Sequence, residues 1–98
     1  MAYKLFWTDE AINNLEEILD YLKRRWTQRE INNFKNKLKK HLDLISRFPL
    51  MFPISDYNPR LRKSVVSKQT SVYFEIKNGM IYITYIFVNR KNINKIKD

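Results

Sequence analysis

The dipeptide Asn78-Gly79 constrains this chain more than any other feature, because it sits between two runs, Thr70 to Lys77 and Met80 to Val88, that both read as strands. Both residues accept the positive φ angles of a type I′ turn, so the pair predicts a tight β-hairpin. A two-residue turn also fixes the register: Lys77 faces Met80, Ile76 faces Ile81, Phe74 faces Ile83 and Val72 faces Tyr85. Side chains alternate along a strand, so these residues, extended by Phe87, are expected to share the buried face. The opposite face is then Tyr73, Glu75, Tyr82, Thr84, Ile86, Val88 and Arg90.

Something must cover that hydrophobic face, and the first half of the chain supplies it. Tyr3 to Trp7 reads as a short first strand. Thr8 then offers a hydroxyl to the free amides of a helix start, and Asp9 and Glu10 suit the positive end of the helix dipole. Ala11, Leu15, Ile18, Leu19 and Leu22 recur at steps of three and four, which predicts an amphipathic helix from about Asp9 to about Trp26. Thr27 and Glu30 form a capping box for a second helix, whose apolar stripe runs through Ile31, Phe34, Leu38, Leu42 and Ile45 to Phe48. Two such helices with almost no connection predict an antiparallel helix hairpin. Pro49, Pro53 and Pro59 then mark an irregular loop, and Leu61 to Ser67 reads as a further, basic strand.

At 98 residues, one domain spanning 1–98 with one core is expected. The chain has no cysteine, which excludes disulfides and thiolate metal sites and leaves a reducing, cytoplasmic setting as the expectation. No run approaches the roughly 20 apolar residues of a membrane span, and the opening residues do not read as a secretion signal. Charge is distributed unevenly. Residues 1–22 set Lys4 against Asp9, Glu10, Glu16, Glu17 and Asp20 for a net −4, so the remainder carries +13 of the total +9. A polyanion or an acidic protein surface complements such a body.

Few catalytic groups are available. Gly79 is the only glycine, so there is no phosphate-binding glycine loop, and no His pair or His/Cys spacing suggests a metal; no cofactor is expected. The carboxylates of the first helix and Lys35, Lys37, Lys39 and Lys40 of the second read as solvated helix faces. His41 lies mid-helix beside the apolar stripe and reads as a boundary packing residue. The more informative juxtaposition is aromatic and cationic. Tyr73 and Tyr82 on the open sheet face, beside basic side chains, could stack bases and neutralise phosphates, or they could simply pair across the strands.

The order of these elements, with Trp7, Thr8, Ala11 and Leu15 as W-[TS]-x-x-A-x-x-x-L and Asn89, Arg90 and Asn92 as N-R-x-N after the last strand, resembles the RelE/ParE superfamily of bacterial type II toxins. The resemblance covers nearly the whole chain. It implies an α+β fold in which an N-terminal strand and a two-helix antiparallel hairpin pack on one face of a curved, mainly antiparallel sheet. It also implies a growth-inhibiting toxin of a toxin-antitoxin, plasmid-stabilisation type module, held in a hetero-oligomer by a cognate antitoxin. Target- or nucleic-acid-binding residues are then expected at Arg60, Arg62, Lys63, Tyr73, Tyr82, Arg90 and Lys91. Two activities stay open. One is a ParE-like inhibitor of DNA gyrase or replication that acts without catalysis; the other is a RelE-like endoribonuclease that cuts messenger RNA on the ribosome. Such nucleases resemble this chain except at a strand Arg and a C-terminal Tyr, which fall here at Ser71 and near Lys97, so the ParE-like reading is favoured and no catalytic residue is assigned.

Overall fold

The computed structural model describes residues 2–89. Strand β1 (Leu5–Trp7) leads into helices α1 (Asp9–Arg25) and α2 (Gln28–Arg47), and a 3-10 turn at Pro49–Met51 opens the irregular segment before β2 (Arg62–Val65), β3 (Thr70–Lys77) and β4 (Met80–Val88). The strands form one sheet in the order β1-β4-β3-β2, antiparallel except for β1, which runs parallel to β4. The helices start where their side chains allow. The Thr8 hydroxyl accepts the Ala11 amide at 3.1 Å, and Thr27 and Glu30 satisfy each other's amides as a complete capping box. Asn78 and Gly79 take φ angles of 54° and 74°, the left-handed pair that a type I′ turn requires.

One face of the sheet and the apolar stripes of both helices make the core. Ala11, Ile18 and Leu22 of α1 and Ile31, Phe34, Leu38 and Ile45 of α2 pack with Val72, Phe74, Ile81 and Ile83. Phe52, from the irregular segment, closes one end with its ring edge-on to Phe74 at 5.8 Å.

The hairpin register runs as expected from Lys77↔Met80 to Phe74↔Ile83 and then slips: Tyr73 faces Tyr85 and Val72 faces Ile86. Thr84 is the extra residue, a β-bulge in β4 that turns every later side chain over. This corrects the expected faces beyond Ile83. Ile86 is 5 % exposed and joins the core with Val88 packed against it, whereas Phe87 is 54 % exposed and lies with Tyr85 on the side away from the helices. The cause lies on α1. The Thr8 hydroxyl donates to the carbonyls of Ile83 at 3.0 Å and Thr84 at 2.7 Å, and the Asn14 side-chain oxygen accepts the Ile86 amide at 3.0 Å. Backbone groups that the bulge releases from the ladder are thus satisfied by side chains of the helix start, which makes the slipped register the one without orphaned polar groups.

Candidate target-binding concavity

Because paired residues share a face, Lys63, Tyr73 and Tyr85 line up across β2, β3 and β4, with Ser71 and Phe87 one step along. They line a concavity of about 360 Å³ on the sheet side opposite the helices. Tyr57 reaches it from the irregular segment, and Lys68, Gln69 and Asn89 form its rim at the β2–β3 turn and the end of β4. That turn is tight: the Val66 and Ser67 amides both donate to the Thr70 carbonyl, and the Asn89 amide donates to Gln69 at 2.8 Å.

The floor is an aromatic stack. Tyr73 and Tyr85 lie 4.5 Å apart between ring centroids with planes 17° from parallel, and the Lys63 ammonium sits 5.9 Å from the Tyr73 centroid. Stacking and cation–π attraction both hold Lys63 toward the concavity. Burial pushes the Tyr85 phenol above its ordinary pKa, reinforced by Tyr73, Glu10 and Tyr57, so it is a neutral hydrogen-bond donor at physiological pH. Tyr57, 86 % exposed, presents a nearly free ring at the mouth. The Ser55 hydroxyl accepts its amide at 3.1 Å and so shapes the turn that carries it. The whole is a cationic, aromatic recess: two ammonium groups for an anion, rings for planar or apolar groups, and neutral donors between them.

Of the seven residues expected from the sequence, the fold brings Lys63 and Tyr73 together here. Arg62 faces the helix side, where its guanidinium donates to the Phe52 carbonyl at 2.6 Å and pins the irregular segment to β2. Arg60 is exposed on the preceding turn, its amide donating to the Asn58 side chain at 2.9 Å. Tyr82 occupies the other end of the open face, stacked on Phe6 at 5.6 Å, with Lys4 over the Phe6 ring. Arg90 and Lys91 lie outside the described residues. Tyr57, Lys68, Gln69, Tyr85 and Phe87 join the recess without having been singled out from the sequence. Strict alternation along β4 puts Tyr85 and Phe87 on the buried face and the bulge turns them over, while Tyr57 and Lys68 sit in irregular segments that have no periodicity to read.

His41 stands on the covered side of the sheet, its Nδ1 2.9 Å from the hydroxyl of fully buried Ser64. Burial first, then Lys40 and Lys37, lower its pKa from the usual 6.5. The unfolded chain therefore takes up this proton before the folded one does. The stability so gained is complete above pH 6.5 and is lost as pH falls through the folded-state value. Denaturation midpoints should fall on acidification below pH 6.5 in the parent and lose that increment in His41→Asn; identical pH profiles for the two proteins would remove His41 as the cause.

Among the described residues no group of His, Asp and Glu side chains could hold a metal ion, and no helix is long and apolar enough to cross a membrane. The sequence profile of the "ParE toxin of type II toxin-antitoxin system, parDE" matches residues 5–93. No curated protein sequence matches the chain. Among solved structures, the chromosomal ParDE TA system from P. aeruginosa aligns with a TM-score of 0.75 at 18% identity, over 89% of this chain and 96% of that one. The E. coli DinJ-YafQ toxin-antitoxin complex gives 0.62 at 10% identity over 93% and 97%, and the YoeB dimer from Staphylococcus aureus 0.59 at 10% over 91% and 99%. At these identities the likeness is one of fold.

Proposed function

The chain belongs to the ParE toxins of type II toxin-antitoxin systems, and from that premise we propose that it arrests bacterial growth by binding DNA gyrase or another replication protein, without chemistry of its own. Its structural neighbours from P. aeruginosa and E. coli include toxin-antitoxin assemblies, which supports a cognate antitoxin as its partner. One observation carries the choice of mechanism: the open-face recess is equipped for binding. Lys63 and Lys68 supply charge, Tyr57, Tyr73, Tyr85 and Phe87 supply rings, and Ser71 stands where the RelE-like nucleases resembled by this chain carry an arginine. General acid–base cleavage of RNA needs a group that titrates near neutrality at the scissile bond. Among the described residues the one histidine lies on the other side of the sheet against Ser64, and Tyr85 is displaced upward, away from neutrality.

The test sets the two targets side by side. Purified toxin is added to gyrase with supercoiled plasmid, and to a ribosome-based translation extract with a reporter messenger. Loss of supercoiling activity or accumulation of cleaved plasmid, with an intact messenger, is expected. Codon-position cleavage of the messenger with gyrase untouched would overturn the proposal.

A further inference from the structure

Every exposed residue of α2 is polar, and none of the large apolar side chains that stand in solvent among the described residues belongs to it. From Lys23 to Arg47 the chain carries nine cations and two carboxylates, and both carboxylates are engaged. Glu30 closes the capping box with Thr27, and Asp43 pairs with Arg47 at 3.3 Å. The lysines between them, Lys35, Lys37, Lys39 and Lys40, are exposed and form no ion pair among the described residues. Burial and then the charges of Lys40 and Lys37 lower the proton affinity of His41, so the positive field of this stretch is not cancelled locally.

Helical geometry sorts these side chains. Successive residues turn by about 100°, so Arg29, Asn33, Asn36 and Lys40, at steps of three and four, form one stripe opposite the core stripe of Ile31, Phe34, Leu38 and Ile45. Lys37 flanks the outer stripe on one side, and Lys35 and Lys39, one turn apart, flank it on the other. The arrangement spans about 16 Å along the axis, the length of about five base pairs. We propose that α2 is a second binding surface, which lies against duplex DNA with its flanking lysines on the phosphates of the two strands and the stripe of Arg29, Asn33, Asn36 and Lys40 toward the groove between them.

The character of the helix chooses this occupant. A protein partner, a second copy of this chain included, buries an apolar centre, and α2 exposes nothing apolar to form one. Single-stranded nucleic acid is held by stacking on exposed rings, and the one aromatic ring of the α2 core stripe, Phe34, is buried. Duplex RNA keeps its major groove deep and narrow, whereas that of B-form DNA admits an α-helix. Charge also sets the approach. Helix α1 exposes Glu16, Glu17 and Asp20 along its body but Lys23 and Arg24 at its end, so DNA is drawn to the tip of the helix hairpin and repelled from the rest of α1. The surface lies across the sheet from the recess, which leaves the recess free to meet a protein while α2 holds DNA. The proposal goes beyond the gyrase reading and does not depend on it.

Lys37→Gln with Lys40→Gln tests this, measured against Lys4→Gln with Lys77→Gln, which removes the same charge from exposed positions elsewhere. Glutamine and lysine have similar helix propensities, so melting should not change. The probe is a short blunt DNA duplex of mixed sequence, followed by fluorescence anisotropy. The parent should bind with a Kd of about 10 μM at physiological salt, and the logarithm of its affinity should fall with the logarithm of salt at a slope of about −4. In the α2 variant affinity is expected to drop roughly 20-fold and the slope to become shallower by about two, one phosphate contact for each lysine removed, while the control stays within about threefold of the parent. An equal loss in both variants would overturn the proposal, as would a parent that does not bind the duplex or that binds duplex RNA of the same sequence more tightly. His41, the one histidine of the chain, is an independent reporter, because it feels the charges of Lys37 and Lys40. Its ring proton signals should move when DNA is added to the unmodified protein, and signals unmoved in the saturated complex would overturn the placement on α2. Gyrase is absent from these measurements, so their failure leaves the gyrase reading standing, whereas cleavage of messenger by a toxin that still binds DNA would remove that reading alone.

Discussion

Phe74→Ala is expected to destabilise the protein by about 3–5 kcal/mol, the range for removing a large aromatic ring from a core that cannot collapse around the gap. Phe74 is fully buried, contacts the Phe52 ring edge-on, and faces Ile83 across the hairpin at the last regular pair before the bulge. Its neighbours are held by unrelated constraints: Phe52 by Arg62, Ile83 by Thr8 and by pairing with Trp7. None can move into the space without breaking a hydrogen bond or a strand pair, so the upper part of the range applies. Urea denaturation at fixed pH gives the number directly, and a loss below about 1 kcal/mol would mean that Phe74 is not the centre of the core.

Reversing the two cations of the recess, Lys63→Glu with Lys68→Glu, is expected to abolish growth arrest while leaving the fold nearly intact. Lys68 is exposed on the β2–β3 turn, and Lys63 is half-buried at the recess wall, where its cation–π contact with Tyr73 is worth only about 0.5–1 kcal/mol to stability. Against an acidic target surface, two attractions become two repulsions, and like charges at an interface cost several kcal/mol, enough for a loss of about 100-fold or more in affinity. The readout is the inducer concentration that halves growth, compared with the parent at matched expression. Lys63→Gln with Lys68→Gln separates the contributions: partial activity is expected if attraction matters, because neutral side chains remove attraction without adding repulsion. Full arrest by the double glutamate protein would take the recess out of the mechanism.

Local signals in the sequence predict local structure well here. Asn78-Gly79 defines the hairpin and its first four residue pairs, and Thr8, Thr27 and Glu30 place both helix starts as observed. What escapes is whatever depends on a distant partner. The run Ile83-Thr84-Tyr85-Ile86-Phe87-Val88 has an apolar residue available for either face, so alternation cannot reveal a slip, and the groups that decide it, Thr8 and Asn14, lie more than 70 residues earlier. The parallel pairing of β1 with β4 is hidden for the same reason. Arg62 and Lys63 look equivalent in sequence, yet adjacent strand residues face opposite ways. Lys63 therefore reaches the recess, while Arg62 turns back to hold Phe52.

The bulge has a consequence for synthesis. A nascent chain emerges N-terminus first, at about 5–20 residues per second. Thr8 and Asn14 leave the ribosome early with nothing to bind, because their partners at Ile83, Thr84 and Ile86 are translated more than 70 residues later. Nor can Leu5–Trp7 find a strand to lie against until Ile81–Ile83 has been made. Tyr85 and Phe87, which complete the recess, belong to that same last strand. The recess proposed to meet a target thus comes into being only when the final strand is out, so no partial chain short of β4 can present it.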